Sequence, residues 1–223
     1  MIARSLVCYL LSIGFIALIV FLNFPQTDIS IANYFWNSGW HDKTGWYGLV
    51  YYGVNWLSPI IVVALLSLLV YLYLTSSKKF KKCTIFFLLT CILLGPGLVV
   101  NGIFKDHWGR ARPSQTTEFN GKENFVLPFV ISQACHKNCS FVSGHASFGF
   151  VLFALAYVFQ RRRYLIAFSS FTLGWIIGYV RMAQGGHFFS DVLYSWLITW
   201  FVIHITYIIY QKLGYHVKHI KTL

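Results

Sequence analysis

Apolar residues run along this chain in blocks much longer than the stripe of an amphipathic helix. Six such blocks cover roughly residues 5–24, 47–74, 83–104, 146–159, 164–180 and 192–210, and polar or charged residues cluster at their ends. Crossing the hydrocarbon of a bilayer takes about 20 largely apolar residues in a helix. Five blocks meet that length on their own or nearly so, and the fourth needs flanking residues to complete it. The pattern therefore predicts an all-α, polytopic membrane protein with six transmembrane helices, a single domain over residues 1–223. Residues 105–145 form a large outer loop, and a second polar stretch, 181–191, lies between the last two spans. Pro59 in the second block and Gly95-Pro96-Gly97 in the third predict kinks, because proline removes a backbone donor and crowds the preceding turn.

Composition supports this reading. The chain is 57% hydrophobic, 19% aromatic and only 11% charged, which argues against a soluble domain. A net charge of +12 would otherwise suggest a nucleic-acid partner. Its distribution suggests orientation instead. With a cytoplasmic N-terminus, Arg4, Lys78, Lys79, Lys81, Lys82, Arg161, Arg162, Arg163, Lys212, Lys218 and Lys221 are inside. These are eleven of the eighteen Lys and Arg residues, with none of the six acids. The positive-inside rule selects that arrangement, with both termini cytoplasmic and no nucleic acid implied. Trp36, Trp40 and Trp46 gather in the outer segment 25–46, as rings at a headgroup boundary do. The first block has no A-x-A-like cleavage site after it and is expected to be retained rather than removed as a signal peptide. With a bacterial inner membrane assumed, the outer side is the periplasm. Cys135 and Cys139 share the outer loop, where an oxidising compartment would permit a disulfide; free thiols, or metal ligation with His136, are the alternatives.

Three polar clusters fall on that outer side. Lys105 to Arg112-Pro113 brings phosphate-type cations, since a guanidinium fork grips two oxygens and an ammonium adds a point charge. Ser143-Gly144-His145 precedes the fourth block, where a helix start offers unpaired N–H groups to an anion and glycine permits close approach. Arg181, His187 and Asp191 form the third. The four-residue spacing from His187 to Asp191 would put both on one helix face, where a carboxylate on one imidazole nitrogen leaves the other free to attack. No cluster of carboxylates suited to two-metal phosphoryl chemistry is apparent on this side, and no metal or other cofactor is expected. The combination points to a membrane-embedded phosphatase acting on a lipid phosphate. A non-catalytic lipid binder or transporter would need the cations but no nucleophile.

These motifs resemble the type 2 phosphatidic acid phosphatase superfamily, whose pattern is Lys-x6-Arg-Pro, Pro-Ser-Gly-His and Ser-Arg-x5-His-x3-Asp. This chain has Lys105-x6-Arg112-Pro113, Val142-Ser143-Gly144-His145 and Val180-Arg181-x5-His187-x3-Asp191, departing from the pattern only at Val142 and Val180. The resemblance implies that His187 becomes a phosphohistidine and that Asp191 orients it. It implies that His145 protonates the leaving oxygen and then activates water. Lys105, Arg112, Ser143, Gly144 and Arg181 would hold the phosphate. The stretches 95–101, 105–110, 139–141 and 185–191 look like the bacterial lipid A phosphatases, particularly the lipid A 4′-phosphatase branch. That likeness implies removal of a lipid A phosphate at the periplasmic face, lowering the negative charge that attracts cationic antimicrobial peptides. Undecaprenyl pyrophosphate, phosphatidylglycerol phosphate and phosphatidic acid are the alternative substrates.

Overall fold

A computed structural model describes residues 2–36, 39–75 and 79–215. Of the basic residues that set the orientation, Lys78, Lys218 and Lys221 lie outside the described residues. Helix α1 (Ile2–Asn23) turns at once into the short α2 (Gln26–Phe35), and α3 (Gly45–Leu74) follows. Helix α4 (Lys79–Ile92) runs straight into a π-helical stretch, Leu93–Lys105. After the long loop, α5 (Gly144–Phe150) passes through a single 3-10 turn into α6 (Ala154–Val158); α7 (Arg163–Ala183) and α8 (Phe189–Lys212) complete the chain. Among the described residues β pairing is limited to an isolated bridge between Thr116 and Glu123.

Among the described residues, five helices are long and apolar enough to cross a membrane: Leu6–Asn23, Gly45–Leu74, Lys82–Lys105, Gln160–Ala183 and Phe189–Lys212. The chain is an all-α, multi-pass membrane protein. Helices α1 and α3 turn large apolar residues outward, among them Phe15, Ile16, Trp56, Ile60 and, 76% exposed, Leu49. In water such a surface would be a liability; against lipid it is the expected one.

The fourth span is short, as its apolar block is. The apolar helix there covers Gly144–Val158 and is shorter than the other five. At about 1.5 Å per residue it is roughly 22 Å long, against about 30 Å of hydrocarbon. Protein covers it instead of lipid: Ala146, Phe150, Val151, Ala154 and Val158 are all buried. Its closest partner is α7. A Cβ on Gly149 would stand 2.6 Å from the Gly174 Cα, so the two backbones pack against each other with no side chain between. The change to 3-10 geometry leaves carbonyls to satisfy. Ser170 Oγ donates to the Gly149 and Phe150 carbonyls at 3.1 and 2.8 Å, and Trp200 Nε1 donates to Phe150 at 3.2 Å.

Helix α3 continues through Pro59. The Gly95-Pro96-Gly97 interruption has a larger effect, lying within the π-helical stretch that ends at Lys105. Asn101 Nδ2 donates to the Pro96 carbonyl at 2.6 Å, giving that carbonyl a partner within the widened helix. The connectivity brings the ends of α1, Leu93–Lys105 and α7 and the starts of α3, α5 and α8 to one side of the bundle. Arg161, Arg162 and Lys212 lie toward the other.

Candidate active site

The candidate site forms where those helix ends meet. The π-helical stretch delivers the Lys105 ammonium to the start of α5, and glycine is needed there. A Cβ on Gly144 would stand 2.5 Å from Asn101 Oδ1 and 3.3 Å from Lys105 Nζ. Ser143 caps α5: its Oγ accepts from the Ala146 N–H at 3.4 Å, which leaves its hydroxyl hydrogen to donate elsewhere. Two backbone bonds lock this corner. Ser143 N–H donates to the Asp191 carbonyl at 3.1 Å, and Ser195 Oγ donates to the Ser143 carbonyl at 2.7 Å.

At the end of α7, Arg181 is buried, and its Nη1 donates to Gln184 Oε1. Its guanidinium carbon lies 4.8 Å above the Tyr51 ring, and its Nε has no hydrogen-bond partner. Gly186 makes room for it, since a Cβ there would stand 2.3 Å from Arg181 Nη2. The same Tyr51 ring stacks on His145 with centroids 4.8 Å apart and planes 16° apart. Tyr51 thus ties α3 to a histidine from α5 and an arginine from α7. Arg112, half-buried, donates from Nη2 to the Asn138 carbonyl at 2.7 Å. That carbonyl belongs to a short loop closed by a Cys135–Cys139 disulfide, whose Cα atoms are 5.6 Å apart. The Cys139 N–H donates to the Lys105 carbonyl at 2.9 Å, so this loop braces two of the three cations.

His187 is 1% exposed. Its Nδ1–H donates to the Ser140 carbonyl at 2.7 Å, and its Nε2 is buried with no partner. His145 Nε2 is likewise buried and unpaired. Burial first, then the charges of Lys105, Arg181 and Arg112, hold the His187 imidazole well below the usual histidine range. A neutral ring with Nδ1 donating and Nε2 free is a nucleophile in the correct tautomer.

One expectation about Asp191 requires correction. Its Oδ2 lies 3.8 Å from His187 Nδ1, within ion-pair range but too far for a hydrogen bond. The four-residue spacing would pair these side chains only if both lay on a helix, and α8 begins at Phe189, after an extended Phe188. Asp191 acts one step removed. Its Oδ2 accepts from Ser140 Oγ at 2.5 Å and from the Phe188 N–H at 2.8 Å, so it holds both the residue whose carbonyl takes His187 Nδ1–H and the residue that follows His187. Its Oδ1 takes a 2.5 Å bond from Arg110 Nη1.

Arg110 lies outside the phosphate-binding set read from the sequence. It is fully buried, with Nη2 on Asp28 Oδ2 at 2.9 Å, Nε on the Val126 carbonyl at 2.8 Å and Nη1 also on Ser190 Oγ at 2.8 Å. The rings of Phe188 and Phe125 flank it at 4.5 and 5.4 Å. The structure therefore gathers Lys105, Arg112, Ser143, Gly144, His145, Arg181 and His187 at one place, with Asp191 behind them. Sequence reasoning missed Tyr51, Asn101, Ser140 and Asp28. Asn101 and Ser140 carried a signal, since they lie in the stretches 95–101 and 139–141. Among the described residues, no group of three or more His, Cys, Asp or Glu side chains is placed to hold a metal ion.

Residues 84–215 match the PAP2 superfamily, and the chain belongs to it. Over 214 residues it is 43% identical to the lipid A 4'-phosphatase of Francisella tularensis subsp. novicida (strain U112), covering 92% of this chain and 96% of that protein. It is 39% identical over 107 residues to the lipid A 4'-phosphatase of Rhizobium leguminosarum, covering 48% of this chain and 46% of that protein. No solved structure matches.

Proposed function

We propose that this protein removes a phosphate, most specifically the 4′-phosphate, from lipid A at the periplasmic face of a bacterial inner membrane, through a phosphohistidine on His187. The observation that carries the chemistry is the pair of buried, unpartnered Nε2 atoms on His187 and His145, set among Lys105, Arg112 and Arg181. A binding site needs cations; it does not need a neutral imidazole locked at Nδ1 and free at Nε2. The substrate follows from the relatives, both of which are lipid A 4'-phosphatases. The charge distribution supports this side of the membrane, with the basic ends of the helices opposite the site.

In this mechanism the three cations and the N–H groups at the start of α5 neutralise the phosphate oxygens. The His187 Nε2 lone pair forms the P–N bond as the bond from phosphorus to the lipid oxygen breaks, and His145 passes a proton to that oxygen. The phosphorylated ring carries positive charge, with its Nδ1–H kept on the Ser140 carbonyl. His145 then takes a proton from water, the hydroxide oxygen attacks phosphorus, and the P–N bond breaks to restore His187.

The test is phosphate release from lipid A by the detergent-purified protein in excess EDTA, beside His187→Ala, with the product located by mass spectrometry. Release by wild type alone, with the 4′ position lost, is the expected result. Release from prenyl or glycerophospholipid phosphates but not lipid A would overturn the substrate. Equal release by His187→Ala would overturn the mechanism.

A further inference from the structure

Asp28 sits in the first turn of α2, outside residues 84–215, the part of the chain that matches the superfamily. It is fully buried, and everything bonded to its carboxylate is a donor. Ser190 N–H reaches Oδ1 at 2.9 Å; Ser190 Oγ at 2.5 Å and Arg110 Nη2 at 2.9 Å reach Oδ2. A continuous path runs from there to the nucleophile: Asp28, Arg110, Asp191, Ser140 Oγ, and the Ser140 carbonyl that holds His187 Nδ1.

Two carboxylates share one guanidinium in this cluster, so a negative charge is left over. Arg110 alone would neutralise Asp191 and cancel its field at His187, 3.8 Å away. We infer that Asp28 and Arg110 are positioning residues for phosphoryl transfer: Arg110 fixes the Asp191 carboxylate, and Asp28 restores the negative charge that stabilises the phosphohistidine ring. The inference rests on the phosphohistidine reading above and adds to it two residues that the superfamily's pattern leaves unspecified, Arg110 within the x6 interval of the first motif and Asp28 outside the matched region. Burying charge this way is costly unless the charges are paired and bonded. Here every bond is satisfied and two aromatic rings flank the guanidinium, yet the charges do not balance. A purely structural pair would need only one acid.

The charged and titratable groups facing Asp28 are Arg110 from the loop, and Asp191 and Tyr194 from α8. Burial, opposed by Arg110, raises the Asp28 carboxyl above the usual aspartate range. The sign follows: Asp28 takes up its proton at a higher pH than a free aspartate does, so the stabilising charge is present above that pH and lost below it.

The experiment uses the detergent-purified protein and 18O-labelled inorganic phosphate, following exchange of label into water by 31P NMR. Each exchange forms the P–N bond with loss of one phosphate oxygen as water, then reverses, so it reads phosphohistidine formation without any lipid. Wild type, Asp28→Asn, Asp28→Glu and Arg110→Lys are compared across pH, with thermal midpoints recorded beside them. We expect Asp28→Asn to slow exchange at saturating phosphate about 10-fold or more, with half-saturation within about twofold of wild type and the acidic limb of the profile lost. Asp28→Glu should recover part of the rate; Arg110→Lys, without a fork, should not. Wild-type exchange and an unchanged pH profile in Asp28→Asn would overturn the inference, whatever happens to the thermal midpoint. Absence of exchange in wild type would instead overturn the phosphohistidine reading, and this inference with it. Exchange without lipid A turnover would overturn the substrate alone.

Discussion

A methyl group at position 186 should disable the site through Arg181 alone. Gly186→Ala adds no charge and removes no hydrogen bond, but its Cβ would lie 2.3 Å from Arg181 Nη2 and 2.8 Å from the guanidinium carbon. Ordinary contact begins near 3.5 Å, so the guanidinium must retreat by about 1 Å. It has little freedom to do so, being buried against the Tyr51 ring and bonded to Gln184. The retreat takes it from the position in which its unpaired Nε can meet a phosphate oxygen. A hydrogen bond to a charged group is worth about 1.5–3 kcal/mol, so kcat/KM should fall roughly 10- to 150-fold.

The assay is a double-mutant cycle of Gly186→Ala and Arg181→Ala on phosphate release. If the methyl acts through Arg181, the double variant is no worse than Arg181→Ala by more than about twofold. Losses that multiply would refute the reasoning, because Gly186 would then serve some purpose independent of the guanidinium.

Three further outcomes follow from the same geometry. Ser140→Ala removes the 2.5 Å bond to Asp191 while leaving the backbone carbonyl on His187, so kcat should drop about 10-fold with KM little changed; a wild-type kcat would mean Asp191 does not act through Ser140. Tyr51→Phe should keep most activity, because stacking on His145 and the contact with Arg181 use the ring, whereas Tyr51→Leu should lose at least about 5-fold; equal activity in both variants would show that the ring is dispensable. His187 is held neutral in the folded protein, while the unfolded chain protonates it near pH 6.5; stability is therefore lost as pH falls through that value, by up to about 1.4 kcal/mol per pH unit. Thermal midpoints of wild type should then fall more steeply between pH 7.5 and 5 than those of His187→Gln, and parallel curves would disprove the buried neutral state.

The parts of this site that were legible in the sequence are those where charge interrupts hydropathy. Lys105, Arg112, Arg181 and His187 stand at the ends of apolar blocks, and their spacing matches a superfamily pattern, so their gathering in one place could be read and a role for each proposed. Tyr51 could not, because one tyrosine among fourteen, inside an apolar block, looks like any ring at a lipid boundary. Asp28 was hidden for the opposite reason, being one of two acids in a polar outer segment, with a partner 82 residues away. The fourth block was legible as short, but not its covering, because hydropathy reports how apolar a helix is and says nothing of what surrounds it. The link from His187 to Asp191 was drawn too directly because spacing implies a shared face only inside a helix, and His187 precedes one.

Two sets of charge lie almost side by side at this end of the bundle, and the fold treats them in opposite ways. Arg110, Asp28 and Asp191 are buried with every bond met, which is what makes burying ions tolerable and holds the start of α8 to α2 and the long loop. Among the described residues, Lys105, Arg112 and Arg181 have no acid within salt-bridge distance; Arg112 meets a carbonyl, and Arg181 an amide and an aromatic ring. Pairing those cations with carboxylates would stabilise the protein and fill the place of the phosphate. The tight network behind the nucleophile and the unpaired cations in front of it are two sides of one arrangement. In the proposed mechanism the first fixes His187 and supplies negative charge to its ring, and the second presents that ring with an anion.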